Sequence, residues 1–491
     1  MPFIKESYFR ILNFLIIAIG IAYRVVIFLQ NRSLFIDEAN VGRNIAERSF
    51  SQFFETLSYE QYAAPLFLFL VKTSTLLLGM TEYALRLWPL IAGIISLLLF
   101  YQLLKREFSV IWLWFPLLWM GFTWRMYKFS TEVKQYTTDI MVCLALLNLV
   151  YLIPPDKLNW KTATLWGIIG AVLIWLSMPV VFILAGIGFY YFFHFFIKDK
   201  KLNIVQPILL SITLWLISFG VYYFAIIKQQ TGTDYLLRSH ADYYIPLIPT
   251  STAEVKLLLS RLNGFWQAVF GNTALAVVST FLLAAIGCFQ IFKRDKKKLF
   301  LYFAPFALMI FAVGVKQFSL MPRITLFVWP LLMICVLAGV QFLMQWNKNW
   351  SAAILTVLLA IVVYNHTDYR FFKHNLKAEE FKPAAHLIKA QKKPNELLVV
   401  HHGAMPAYRF YSEHYKDKEQ YDLSPVHIAH WDEAWNFYER EINRAPDAIT
   451  WVLFTNVNPK LKQKFIENSQ SKYKAEQMFV DYWAEVWKVS K

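Results

Sequence analysis

The chain has 491 residues, 57% of them apolar and 18% aromatic against only 17% charged, and its mean hydropathy is +0.40. This balance marks an integral membrane protein and excludes disordered, collagen-like and small disulfide-stapled classes. The net charge of +16 is unevenly placed: residues 1–365 carry 30 Lys/Arg against 16 Asp/Glu, whereas residues 366–491 carry 19 against 17. The excess therefore sits among apolar segments, where orientation and lipid headgroups explain it better than nucleic acid does.

Apolar runs at 11–28, 84–104, 110–127, 138–153, 162–178, 180–197, 204–227, 274–292, 299–315, 324–344 and 351–365 predict eleven membrane spans. The first, preceded by Lys5 and Arg10, reads as a retained span and not a signal peptide. It continues past the weak small-residue pair Gly20 and Ala22, and Arg24 stands where a cleaved end would begin. Cys143, Cys288 and Cys335 all lie within apolar runs, so they form neither a disulfide framework nor a metal cluster in this reading.

The run 65–79 is short for a crossing and contains Lys72. If it stays on one side, alternate loops collect Lys105, Arg106, Lys157, Lys161, Lys198, Lys200, Lys201, Lys293, Arg294, Lys296, Lys297, Lys298 and Lys348. With Lys5 and Arg10 these make 15 cations against five acids, the asymmetry of cytoplasmic loops. The run 65–79 is accordingly an interfacial or re-entrant helix on the outer face. Two long outer loops, 29–84 and 228–273, follow, and the carboxy terminus is outside.

From residue 366 the composition turns soluble. Runs at 396–400, 449–455 and 477–480 read as strands between polar helices, which predicts a small extracytoplasmic α/β domain, 366–491, after a membrane module, 1–365. No repeat of 20–50 residues and no low-complexity tract interrupts this plan.

Gly-rich phosphate loops, HExxH, paired CxxC motifs and GxSxG elbows are absent, which removes support for nucleotide hydrolysis, zinc proteolysis and esterase chemistry. The chemistry-bearing residues are acids and cations at span ends. Asp37 and Glu38 follow the first span, where Asp37 either caps a helix over 38–48 or faces a site. Glu132, Lys134 and Asp139 open the fourth span, with the same choice for Asp139 between helix cap and site. Paired carboxylates on one membrane face suit the positioning and deprotonation of an acceptor hydroxyl, and Lys134 suits an anionic group. Lys316 and Arg323 precede the tenth span; each either snorkels to headgroups or, for Arg323, grips a lipid phosphate bidentately.

Four stretches carry a resemblance: Asp37-Glu38-Ala39, Ala64-Pro65-Leu66, the run Gly79-Met80-Thr81-Glu82-Tyr83-Ala84-Leu85-Arg86-Leu87-Trp88-Pro89, and the segment 132–139, with 323–330 a weaker match. In order and spacing the chain resembles the polytopic GT-C glycosyltransferases, in the branch of protein O-mannosyltransferases and the aminoarabinose transferases of lipid A. The resemblance covers the first 150 residues and extends further only through topology. It implies transfer of a sugar from a polyprenyl-phosphate donor to an acceptor protein, lipid or glycan, with inversion, on the periplasmic face of a bacterial inner membrane. It further implies Asp37 as general base with Glu38 ordering the site, and Asp139, with Glu132, binding acceptor or sugar. Lys134 and Arg323 stabilise phosphate charge by their chemistry, and Arg86 either joins them or only packs beside span two.

Some relatives place a divalent metal near the active carboxylates. The sequence offers no clear His/Asp set for one: His240 in the second long outer loop and the His401-His402 pair after the first strand read as ordinary polar positions. Two competing functions remain. A transporter or flippase of polyprenyl-linked lipid or small solute requires broken helices or midplane charges, of which Arg24 is the main instance. A working outer α/β domain held by a membrane anchor does not account for eleven spans.

Overall fold

The computed structural model describes residues 6–198, 202–231, 234–346, 348–366, 376–430, 434–445 and 449–491. Of the loop residues used to orient the chain, Lys5, Lys200 and Lys201 lie outside these. All eleven expected apolar runs are helical. Five of the helices are long and apolar enough to cross a membrane, at Glu6–Leu29, Glu82–Glu107, Val205–Ile227, Ala274–Arg294 and Leu326–Gln345. The other six are shorter, between 10 and 17 residues.

We label the first helices α1 (Glu6–Leu29), α2 (Ile36–Glu47), α3 (Pro65–Leu78), α4 (Glu82–Glu107), α5 (Trp114–Phe122), α6 (Trp124–Phe129) and α7 (Tyr136–Leu152). Two expected spans are broken. Run 110–127 divides at Thr123, whose extended ψ of 123° ends α5. Run 299–315 divides at Phe303, after which Pro305 opens a new helix, where its missing N–H costs nothing. Helix α3 has 14 residues and so spans only about 21 Å, too short for a bilayer core. Its Lys72 is not a stranded charge: Nζ donates to the carbonyls of Ile45 and Arg48, at 2.7 and 2.6 Å, closing the exposed end of α2.

Arg24, buried within α1, is similarly accounted for. Its guanidinium donates to the carbonyls of Gly20, Met120 and Gly121, each at 2.9 Å. Met120 and Gly121 belong to the last turn of α5, whose carbonyls lack partners in their own helix. The two helices come close enough for this because a Cβ on Gly20 would lie 3.4 Å from the Cα of Gly121. Arg24 therefore acts as a helix-to-helix tie and not as a transport charge.

The carboxy-terminal domain has a five-stranded sheet in the order β2-β1-β3-β5-β4. Strands β1 (Leu397–Val400), β2 (Val426–Ile428) and β3 (Ile449–Thr455) are parallel, while β4 (Lys474–Asp481) and β5 (Ala484–Ser490) form an antiparallel hairpin on its edge. The three expected strands are present. The two unexpected ones are a three-residue strand and the partner of β4.

This domain does not stand clear of the membrane module. One hydrophobic core joins Leu34, Ala39, Val41 and Ile45 of the α2 region and Phe67 and Leu68 of α3 to Phe381, Leu398, Phe410 and Trp451. Polar ties reinforce it: the Leu34 amide donates to the Tyr411 hydroxyl at 3.0 Å, Tyr411 donates to Glu82 at 2.9 Å, and Lys382 pairs with Glu82 at 2.8 Å. The tightest approach is at Gly42 on α2, where an added Cβ would lie 2.8 Å from the Phe410 ring. Gly42→Leu is expected to overpack this seam by about 1–3 kcal/mol, lowering the unfolding temperature in detergent and exposing the carboxy-terminal domain to limited proteolysis. An unchanged digestion pattern would separate α2 from domain docking.

Candidate functional site

Helix α2 begins at Ile36, and the residue before it, Phe35, makes no side-chain cap. Asp37 and Glu38 both lie in the first turn, where the helix dipole favours negative charge. The capping role open to Asp37 thus falls away, because the helix starts one residue ahead of it. The orphan amide at this end is met from the other domain: the Glu379 carboxyl accepts from Ile36 N–H, and Thr455 donates to it at 3.2 Å.

Consecutive helical residues diverge by about 100°, and the two acids accordingly face opposite surroundings. Glu38 is 0% exposed and points inward. Arg86, in the second turn of α4 and 2% exposed, grips it with Nε at 2.8 Å and Nη2 at 2.6 Å, and the Val133 amide adds a bond of 3.0 Å. Burial alone would raise the Glu38 carboxyl, but Arg86 and then Arg32 hold it below its ordinary value. Arg86 also donates to the carbonyls of Arg32 and Ser33, and Arg32 to the carbonyl of Thr131. Arg86, expected among the phosphate ligands, instead spends its donors on this buried framework, and Glu38, expected at the catalytic centre, is its partner.

Asp37 faces a cavity of about 480 Å³ at one end of the helix bundle, with Gln61, Lys134, Asp139, His240 and Arg323 also on its wall. Arg323 Nη1 donates to Asp37 Oδ2 at 3.0 Å. Lys134 is buried and donates to Gln61 Oε1 at 2.6 Å, and Gln61 in turn bonds Asp37. Burial pushes Asp37 up, yet Lys134 and Arg323 together keep it below the usual carboxylate range. The Lys134 ammonium is lowered by burial, with Asp37 opposing. His240 is lowered by burial and then by Arg323.

Asp139 lies in the first turn of α7, which Gln135 precedes as the terminal residue, so Asp139 does not cap it either. It is buried on the cavity wall, and its Oδ1 has no hydrogen-bond partner among the described residues. Glu132, expected to join it, lies behind the wall, 1% exposed, with Lys128 at 3.9 Å. Burial raises the Glu132 carboxyl, with Lys128 opposing and Glu38 adding to the rise.

The structure thus brings Asp37, Lys134, Asp139 and Arg323 to one cavity and sets Glu38, Glu132 and Arg86 behind it. Sequence reasoning gave no role to Gln61 or to Tyr62, which bonds Tyr222 hydroxyl to hydroxyl at 2.7 Å. Their signal was a polar Gln-Tyr pair directly before the Ala-Ala-Pro start of α3. It also missed Glu379, more than 300 residues from the helix it caps.

Among the described residues, no group of three His, Cys, Asp or Glu is placed to hold a metal. The nearest charges to Asp37 are two cations, a setting that does not fit a divalent ion. His401 accepts from the Gly403 amide at 3.1 Å, and burial pushes it down to about 3, which leaves it a neutral strand-end residue.

No family profile matches the chain, and no curated protein matches it either. Among solved structures it is similar to ArnT from Cupriavidus metallidurans bound to undecaprenyl phosphate, with 11% identity over 96% of this chain and 97% of that one and a TM-score of 0.41. It is also similar to the Archaeoglobus fulgidus oligosaccharyltransferase in the apo form, with 10% identity over 89% of this chain and 69% of that one and a TM-score of 0.49. The same enzyme in complex with Zn and sulfate gives 11% identity over 89% and 67%, with a TM-score of 0.46.

Two stability measurements test the framework. Arg86→Met leaves the buried Glu38 charge without its ion-pair partner, so it is expected to cost about 3–5 kcal/mol, read as a large fall in unfolding temperature. A fall of a degree or two would mean that the pair carries little. The second concerns Glu379, which burial raises to about 8 from 4.5. The folded state therefore prefers the protonated form, and this contribution to stability is whole below pH 4.5 and lost as pH rises through 8. Glu379→Gln, always neutral, should unfold with the wild type near pH 4.5 and at increasingly higher temperature towards pH 8, by up to roughly a few kcal/mol. A pH-independent difference would contradict the raised carboxyl.

Proposed function

We propose that the chain is a membrane glycosyltransferase that transfers a sugar, with inversion, from a polyprenyl-phosphate donor to a hydroxyl or amide of an acceptor protein, lipid or glycan. One observation carries the reading: the Asp37 carboxylate, aimed into a cavity at the end of an apolar helix bundle, beside the cations Lys134 and Arg323. A polyprenyl-phosphate sugar has the complementary layout, an apolar tail that stays in the bilayer and an anionic head at its boundary.

In this mechanism the donor phosphate takes Arg323 and Lys134 as its partners, the guanidinium as a planar fork and the ammonium as a point charge. Asp37 then loses its ion pair and gains a nearby negative charge. Both changes raise its proton affinity, so it becomes a competent base once the donor is seated. The acceptor oxygen attacks the anomeric carbon from the face opposite the phosphate while its proton passes to Asp37. The bond from that carbon to the phosphate oxygen breaks, and its electron pair leaves on polyprenyl phosphate, where the two cations stabilise the charge. Asp139, with a buried oxygen unpartnered among the described residues, binds a hydroxyl of sugar or acceptor. Glu38 and Arg86 position Asp37 without touching substrate. The charge of the loops at the opposite end of the bundle supports an outer, periplasmic position for the cavity and the carboxy-terminal domain at an inner membrane.

Asp37→Asn removes the base while keeping the shape and the hydrogen bond to Arg323. In nanodiscs supplied with a panel of polyprenyl-phosphate sugars and acceptors, release of polyprenyl phosphate should fall by about 10²–10⁴-fold, chiefly in kcat. Arg323→Met should weaken both KM and kcat. Near-normal turnover by Asp37→Asn would remove Asp37 from the chemistry, and solute accumulation in proteoliposomes without a covalent product would replace the reading with transport.

A further inference from the structure

The large apolar side chains that stand exposed in the described part of the carboxy-terminal domain are Val480, Tyr482 and Trp483, at 63, 50 and 58%. All three are at the tip of the β4–β5 hairpin. The tip is rigid: Lys377 pairs with both carboxylate oxygens of Asp481 at 2.5 and 2.7 Å, and Asp481 accepts from the Tyr482 amide at 2.7 Å. The Tyr482 carbonyl accepts from Glu380 N–H at 3.2 Å and the Trp483 carbonyl from Asn456 N–H at 3.3 Å. The two rings stack, 5.9 Å apart and 18° from parallel.

The choice of residues does not serve the turn itself. Trp483 has a φ of +56°, a conformation that glycine or asparagine adopts with least strain. A tryptophan held there, half exposed, next to an exposed tyrosine, is a surface that something outside the domain covers.

The structure also gives the level at which the tip sits. Leu376 packs on Ile27 and Tyr127, and its amide donates to Gln30 at 2.9 Å. Ile27 is in the last turn of α1, the first membrane-spanning helix, so Leu376 marks the end of the apolar core. Glu380, which holds the Tyr482 carbonyl, is four residues further along, no more than about 14 Å of extended chain. On the same end of α1, Val26 and Leu29 present exposed apolar side chains. The tip is thus tied, through Lys377 next to Leu376 and through Glu380, close to a lipid-facing helix end, and tyrosine and tryptophan concentrate where hydrocarbon gives way to headgroups because each has an apolar body and a polar handle.

We propose that the Val480–Tyr482–Trp483 hairpin tip is a bilayer-interface anchor, seated among lipid headgroups next to α1, that holds the carboxy-terminal domain against the membrane over the cavity. The partner is the lipid surface itself, and the proposal stands independently of the reaction assigned to the cavity.

The test uses the full-length chain in phosphatidylcholine and phosphatidylglycerol nanodiscs, with and without brominated acyl chains, and an environment-sensitive fluorophore on an introduced cysteine. Wild type treated with the same reagent supplies the background from the native cysteines. Val480→Cys, which keeps both rings, and Trp483→Cys are compared with Glu476→Cys, exposed further along β4. The expected result is blue-shifted emission and quenching by bromolipid at 480 and 483 at least about threefold stronger than at 476. Equal, weak quenching at all three sites, with emission typical of water, would overturn the proposal. So would a blue shift that arises only when acceptor protein is added or the chain is concentrated, because the tip would then be a protein-docking surface.

Discussion

The Glu38–Arg86 pair is the constraint on which the rest of the site depends. A carboxylate at 0% exposure is tolerable only with near-complete compensation, and Arg86 supplies two bonds to it while the Val133 amide supplies a third. Arg86 then uses its remaining donors on the carbonyls of residues 32 and 33, which binds the loop before α2 to the second turn of α4. The pair consequently fixes three things together: the start of α2, its rotation about its own axis, and the segment that ends in Lys134. Rotation is the functional quantity. With Glu38 locked inward, Asp37 can only face the cavity.

The second support for α2 comes from the other end of the sequence. Residues 379–382, which lead into the helix Phe381–Gln391, bring Glu379 to the Ile36 amide and Lys382 to Glu82 and to the Ser33 hydroxyl. The hydrophobic core shared by α2, α3 and the sheet leaves no slack between them. The carboxy-terminal domain is therefore part of the scaffold that holds α2.

The membrane module was legible because hydropathy integrates over some twenty residues. What the runs did not display were the breaks at Thr123 and Phe303, which depend on single-residue backbone angles. Asp37, Asp139, Lys134 and Arg323 stood out in the sequence because polar residues beside apolar spans have few bland places to go, and the structure gathers these four at one cavity. Glu38, Glu132 and Arg86 are just as polar and just as close in sequence, but facing the protein interior and facing the cavity differ by one step around a helix. The start of α2, two residues earlier than capping patterns suggest, decides that step. Glu379 and Gln61 were invisible for a different reason: their importance lies in contacts across the fold, and no local pattern encodes a cap donated from more than 300 residues away.

The charges around Asp37 raise an apparent conflict that the proposed reaction resolves. A carboxylate held low by two cations is a poor base, since it has little affinity for the proton it must remove. The same cations are what a phosphate leaving group requires. Both demands are met in sequence if they share partners. Without a donor, Asp37 neutralises Arg323 and Lys134, which avoids a buried pair of unpaired cations. With a donor, the phosphate assumes that role, and the carboxylate is left in a cavity whose positive charge is now smaller, which raises its proton affinity. Basicity then appears only when there is a leaving group to expel, which protects the site from futile proton uptake and follows from three side chains and one anion without any movement of the helices.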